Sequence, residues 1–152
     1  MEDALDGVKS YLTSNLEAAL VVIESARSCT VTRWKVLDIY VTQSRQIPAI
    51  LILPEGSIPE YGDEEGPFND AWYTHVITIA TICAGSKPKE VMYELMRYQE
   101  AYRALIATDY TFGSLFNRVR LGASEYGEAI AAQEEKKLAL ILEQEIAVRE
   151  VL

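Results

Sequence analysis

The sequence predicts an α+β fold: a mainly antiparallel β-sheet of about four strands, with an N-terminal helix and a second helix packed on one face. Three observations point there. Apolar residues recur at steps of three and four over 2–27 and again over 88–108. Runs rich in β-branched residues, or alternating with a period of two, occupy 72–84 and 136–151. The strand-like runs follow one another and the helical stretches stand apart, unlike the strict alternation that builds a parallel sheet.

The N-terminal helix runs from Glu2 to about Arg27. Leu5, Val8, Leu12, Leu16, Ala19, Leu20 and Ile23 form its apolar stripe. Asp3 and Asp6 near its start and Arg27 near its end suit the helix dipole. The next stretch, 28–46, fits helix through Val36, Ile39 and Tyr40, and fits strand through its β-branched content; both remain open. IPAILIL (47–53) is a short apolar run, expected as a buried strand. Residues 54–70 hold three prolines, three glycines, six acids and no base, which predicts a long exposed loop. Loops of that length without structure of their own tend to be functional or disordered.

Trp72 to Ala84 is the clearest strand, ending at Gly85. Ser86 as cap and Pro88 in the first turn open the second helix. Val91, Leu95, Tyr98, Tyr102 and Leu105 form its inner stripe; Glu94–Arg97 and Glu100–Arg103 are expected as i,i+3 pairs on its wet face. From Phe112 to Tyr126, Val119, Leu121 and Ala123 alternate against Arg118, Arg120 and Gly122, a strand pattern. The closing strand, Lys136 to Val151, sets Leu138, Leu140, Leu142, Ile146 and Val148 against Lys137, Glu143, Glu145 and Arg149. The whole, 1–152, reads as one domain; at this length about 68–70% of the unfolded surface is buried on folding.

Composition narrows the function. Net charge is −9, with 14 basic against 23 acidic residues. Duplex DNA is bound largely by Lys and Arg on phosphates, so the chain is a poor DNA reader, although an acidic surface suits a channel through which DNA slides without sticking. Cys29 and Cys83 lack metal-ligand spacing and are expected as buried, reduced thiols of a cytosolic protein. The start, MEDALDGVK, has acids where a signal peptide has bases, and no apolar run is long enough to span a bilayer.

Catalytic constellations are missing from the linear sequence. His75 is the single histidine, within a strand and beside aromatics, where a structural role is the commoner one. No serine or cysteine has a recognisable base partner, and no phosphate-binding, dinucleotide or zinc-protease motif occurs. Asp63, Glu64 and Glu65 have the chemistry to hold a divalent cation but not the alternating spacing of an EF-hand, so they read as a solvated acidic loop. No cofactor or metal is expected. Among the aromatics Trp34, Tyr40, Tyr61, Phe68, Trp72 and Tyr73, core packing is the default; Tyr61 and Phe68 sit in a loop too polar to bury them, and suit a partner surface.

From Trp72 onward the chain resembles the tail-terminator, or tail-completion, proteins of long-tailed phages. The strand HVITIATICAG leads into the helix KEVMYELMRYQEAYRALIATD, then DYTFGSLFNRVRLG, which is similar to the family's turn before a long strand, and KLALILEQEIAVREV closes the chain. IPAILILPEG resembles the family's first core strand. The sharpest piece is Asp109, Thr111 and Gly113, with Phe112 in place of the usual leucine and Ser114 in place of a second glycine. The same residues have a local meaning: Asp109 bonds the backbone two residues on, and Gly113 permits positive φ.

The resemblance implies a homo-hexameric ring in the virion neck, assembled in the host cytoplasm. Such a ring caps the tail tube, stops its polymerisation, joins it to the head-tail connector or stopper protein, and lets DNA through its lumen. A neck or head-completion protein is the alternative within phages; a small-ligand-binding or enzymatic α+β domain is the alternative outside them. For partner contacts the sequence offers the loop residues Tyr61, Asp63, Glu64, Glu65 and Phe68. For contacts between subunits it offers the terminal strand through Glu143, Glu145 and Arg149, either as an edge strand pairing with a neighbour or as an interior strand of its own sheet.

Overall fold

The computed structural model describes residues 1–39, 46–60, 72–129 and 138–150. In chain order these form α1 (Glu2–Arg27), β1 (Val36–Ile39), β2 (Ala49–Glu60), β3 (Trp72–Gly85), α2 (Pro88–Thr108), β4 (Phe116–Glu128) and β5 (Leu138–Glu150). The fold is α+β, with two helices and a five-stranded mixed sheet of order β1-β2-β3-β5-β4. The expectation of about four antiparallel strands misses β1. That strand comes from the stretch left open between helix and strand, and it pairs parallel to β2. The other three pairings are antiparallel.

Both helices lie against one face. Ala4, Leu5, Val8, Leu12, Leu16, Leu20 and Ile23 of α1 are buried there, with Val91, Leu95, Tyr98, Ala101, Tyr102 and Leu105 of α2. They meet Ile50 and Ile52, Ile77, Ile79 and Cys83, Phe116 and Val119, and Leu140, Leu142, Ile146 and Val148 from the strands. Ala19, expected in the stripe, is only partly buried, and Ala4 takes its place at the N-terminal end. Complete burial of side chains of this size contributes about 1.5–3 kcal/mol each, so this one interface accounts for most of the driving force.

Local corrections have physical causes. Pro88 does stand in the first turn of α2, but the cap position is Lys87, in extended conformation and without a side-chain cap bond. The expected pairs Glu94–Arg97 and Glu100–Arg103 do not form. Glu94 instead accepts from the amide and hydroxyl of Thr32, at 3.1 and 2.8 Å, and Glu100 takes the Arg27 guanidinium at 2.8 Å. Tertiary partners thus outcompete weak neighbours on the same helix. Glu94 and Glu24, with Tyr98, pin the segment after α1: Glu24 accepts from the Val31 amide and the Arg33 guanidinium, and the Tyr98 hydroxyl donates to the Thr32 carbonyl.

Residues 54–60, expected in a loop, extend β2 beside β3 as far as the Glu60–Trp72 pair. A register shift between Pro54 and Gly56 accommodates an extra residue there. Residues 61–70 of the expected loop, and with them Tyr61, Asp63, Glu64, Glu65 and Phe68, lie outside the described residues. Cys83 is buried, as expected, whereas Cys29 is partly exposed at the end of α1; both are free thiols.

Candidate assembly surface

The Asp109–Ser114 turn forms as its residues imply. The Asp109 carboxylate accepts from the Thr111 amide (3.0 Å), the Thr111 hydroxyl (2.6 Å) and the Gly113 amide (2.7 Å). The Thr111 hydroxyl, led by its side-chain bond and followed by those two amides, holds the Asp109 carboxyl below its usual range. Phe112, Gly113 and Ser114 all have positive φ, at 48°, 68° and 66°. Phe112 is buried and stacks on Tyr11 with centroids 4.1 Å apart. The turn therefore fastens the α2–β4 corner onto α1, and its role is architectural.

A second cluster was not legible in the sequence. Ser57 Oγ lies 2.6 Å from His75 Nδ1, and Glu150 Oε1 lies 2.8 Å from His75 Nε2. The imidazole is buried. Strand register brings the three together: Ser57 pairs directly with His75 between β2 and β3, and His75 with Val148 between β3 and β5. Only that pairing carries the signal, because the three residues stand far apart in the chain. The Ser57–His75 contact orders the ring nitrogens opposite to a serine protease, where Nε2 faces the serine and Nδ1 the carboxylate.

The third feature is the sheet face opposite the helices. Side chains directly paired across strands share a face, so the register lays this surface out in rows. Running from β4 through β5 and β3 to β2, one row is Arg118, Arg149, Thr74 and Ile58; the next is Arg120, Ala147, Val76 and Gly56. Then come Glu145, Thr78 and Leu53, followed by Glu125, Glu143, Ala80 and Leu51. The last is Gly127, Ile141, Ile82 and Ala49.

Charge is segregated along these rows. Arg118 and Arg120, with Arg149 and Thr74, line one shallow depression of about 210 Å³. Glu55, Glu125, Glu143 and Glu145 line another of about 210 Å³ beside it. The residues on β2 and β3 are apolar or small. No helix among the described residues packs over this face.

Glu143, Glu145 and Arg149 therefore share one face, as the two-residue period required. Their proposed use as an edge strand is corrected: β5 is hydrogen-bonded on one side to β3 and on the other to β4, leaving no free backbone edge. Among the described strands the edges are β1, the part of β2 beyond its pairing with β1, and β4. Arg118, Arg120, Glu125 and Glu55 were not singled out as site residues. For Arg118 and Arg120 the alternation with Val119 and Leu121 was the available signal. It fails beyond Leu121, because a register shift between Leu121 and Ser124 resets the phase and turns Ala123, expected inside, toward the acidic depression.

Among the described residues, no three His, Cys, Asp or Glu side chains gather to hold a metal ion, and no helix is long and apolar enough to cross a membrane. The chain matches no family model and no curated protein.

Proposed function

We propose that the chain is a structural assembly subunit of the phage tail-terminator type. Six copies form a ring on the end of the tail tube, stop its growth and join it to the head-side connector or stopper protein. DNA passes through without specific binding. The observation that carries this reading is the charge-segregated sheet face, over which no helix among the described residues packs and which the two helices back from behind, a shape suited to presenting surface to other subunits. The turn at Asp109, Thr111 and Gly113 supports it, since it joins helix to strand as the resemblance implies. The acidic stretch including Tyr61, Asp63, Glu64, Glu65 and Phe68 is the proposed contact to an axial partner.

The test is tail assembly with and without the chain, viewed by electron microscopy. Tubes made without it run to abnormal lengths or fail to join heads, and adding the protein restores both. Deleting 61–67 leaves the protein folded and impairs joining. Tubes of normal length that join heads in its absence would sink the reading.

One observation favours a second reading, a hydrolytic α+β domain: the serine–histidine–carboxylate chain of Ser57, His75 and Glu150. There Ser57 Oγ is the nucleophile and His75 accepts its proton, while Glu150 Oε1 stands 2.8 Å from Nε2 without an aligned hydrogen bond to it. A fluorophosphonate probe that labels wild type but not Ser57→Ala supports this reading; an unlabelled wild type removes it.

A further inference from the structure

We infer that the sheet face opposite the helices, over which no helix among the described residues packs, is the docking surface for a second copy of this chain, in a closed two-fold pair. The occupant follows from the order of the rows. A two-fold axis lying in the plane of the face, across the strands and between the Arg120 row and the Glu145 row, exchanges the outer rows and the inner rows. It sets Arg118 of one copy over Glu125 of the other, and Arg149 over Glu143. Arg120 then meets the Glu145 row. The same rotation keeps each strand over its own equivalent. Ile58 and Thr74 fall on Leu51 and Ala80, and Val76 falls beside Leu53 and Thr78. Charge meets opposite charge, and apolar meets apolar, in one operation.

The alternative axis, along the strands, fails this match. It lays β4 over β2 and keeps each row on itself, setting Arg118 on Ile58. Face-to-face sheets pack about 10 Å apart with strands within about 30° of alignment, a separation that arginine and glutamate span together. Arg118, Arg120, Glu55, Glu125, Glu143 and Glu145 have no ion-pair partner within 4.0 Å among the described residues of their own chain. A partner is thus what would neutralise them.

Size sets the strength. Four overlapping rows on four strands span roughly 500 Å² of plane from strand geometry, below the roughly 800 Å² per partner of a standard interface. The pair is therefore a micromolar one, formed by the free chain. It stands on its own, whatever particle the chain serves, and an isologous contact of this kind closes without propagating. A ring on a tail tube must use other surfaces, or form after the pair separates.

The experiment is the solution mass of the full chain by sedimentation across the micromolar range, at low and high salt. Expected is a monomer–dimer equilibrium that weakens with salt. R118E and E125R, each confirmed folded by circular dichroism, are both driven to monomer. Like charges set opposite one another weaken association roughly a hundredfold. Mixing the two variants yields a heterodimer, and combining R118E with E125R in one chain restores the homodimer. A wild type that stays monomeric overturns the inference. So does a dimer indifferent to both variants, or one that the mixture does not restore. Tail-assembly assays report on the ring separately, so either idea can fail alone.

Discussion

Gly7 faces the ring of Phe116 with no room between them: a methyl on Gly7 would stand 2.7 Å from Phe116 Cζ. Gly7 lies inside α1, and Phe116 opens β4 and is buried in the core. The contact explains a glycine in the middle of a long helix, where it is otherwise unfavourable.

Two effects compete in Gly7→Ala. Alanine improves helix propensity by about 1 kcal/mol, while overpacking a fixed aromatic ring costs about 1–3 kcal/mol. We expect net destabilisation, measured as a lower urea midpoint. A second change, Phe116→Leu, relieves the clash, so the double variant loses less than the sum of the two singles. A more stable Gly7→Ala would show that α1 shifts freely on the sheet.

Asp109 makes stability depend on acidity. Its three accepted hydrogen bonds hold the carboxyl below its ordinary range, so the folded state binds that proton less readily than the unfolded state. Its stabilisation is complete above the ordinary carboxylate range and fades as the pH falls through that range toward the folded value. Asp109→Asn removes this contribution. The gap in urea midpoint between wild type and variant is therefore widest near neutral pH and narrows on acidification. A gap independent of pH would show that the charge on Asp109 does not matter.

Gln144 is the polar gap in the inner row of β5, between Leu142 and Ile146. It is buried, and its amide donates to the Glu145 carbonyl at 2.9 Å and to those of Gly122 and Ala123 at 3.3 and 3.4 Å. Its own oxygen faces the Gln99 amide at 3.4 Å, and Tyr126 donates to Gln99 at 2.7 Å. Gln144→Leu leaves the carbonyls of the β4 irregularity short of donors, at a cost of about 1–3 kcal/mol. Hydrogen exchange should rise first around 121–124. A neutral outcome would mean that water serves those carbonyls equally well.

The thiols differ in reach. Burial, with a smaller contribution from Glu94, pushes the Cys83 thiol up to about 12, whereas Cys29 is partly exposed. A thiol reagent at mildly alkaline pH should modify Cys29 in the folded protein. Cys83 should react only in denaturant, because the thiolate is the reactive form. Mass spectrometry of the modified peptides decides it.

The helices were legible because their apolar residues repeat at close to the helical period, and the buried stripes of α1 and α2 are nearly those the spacing implies. β5 was legible for the same reason at a period of two, and β3 through its β-branched content and its stop at Gly85. β1 was not: four residues are too few to establish a period. The outer half of β2 was misread because Pro54, Gly56 and Pro59 signal a loop, yet in the fold that half pairs, among the described residues, with β3 alone. Proline is tolerated on such an exposed strand, where no neighbour needs its missing N–H. The helix-surface pairs were misread because Glu94 and Glu100 found tertiary donors.

What the sequence alone determined is which residues face inward along α1, α2 and β5, and the local chemistry of the Asp109 turn, since both depend on neighbours within a few positions. Only the tertiary structure decided that β5 lies inside the sheet, that Ser57, His75 and Glu150 converge, and that arginines and glutamates from different strands fall into rows on one open face. Those relations depend on strand order and register. They are set by burying the most apolar surface across the whole chain, and no single segment encodes them.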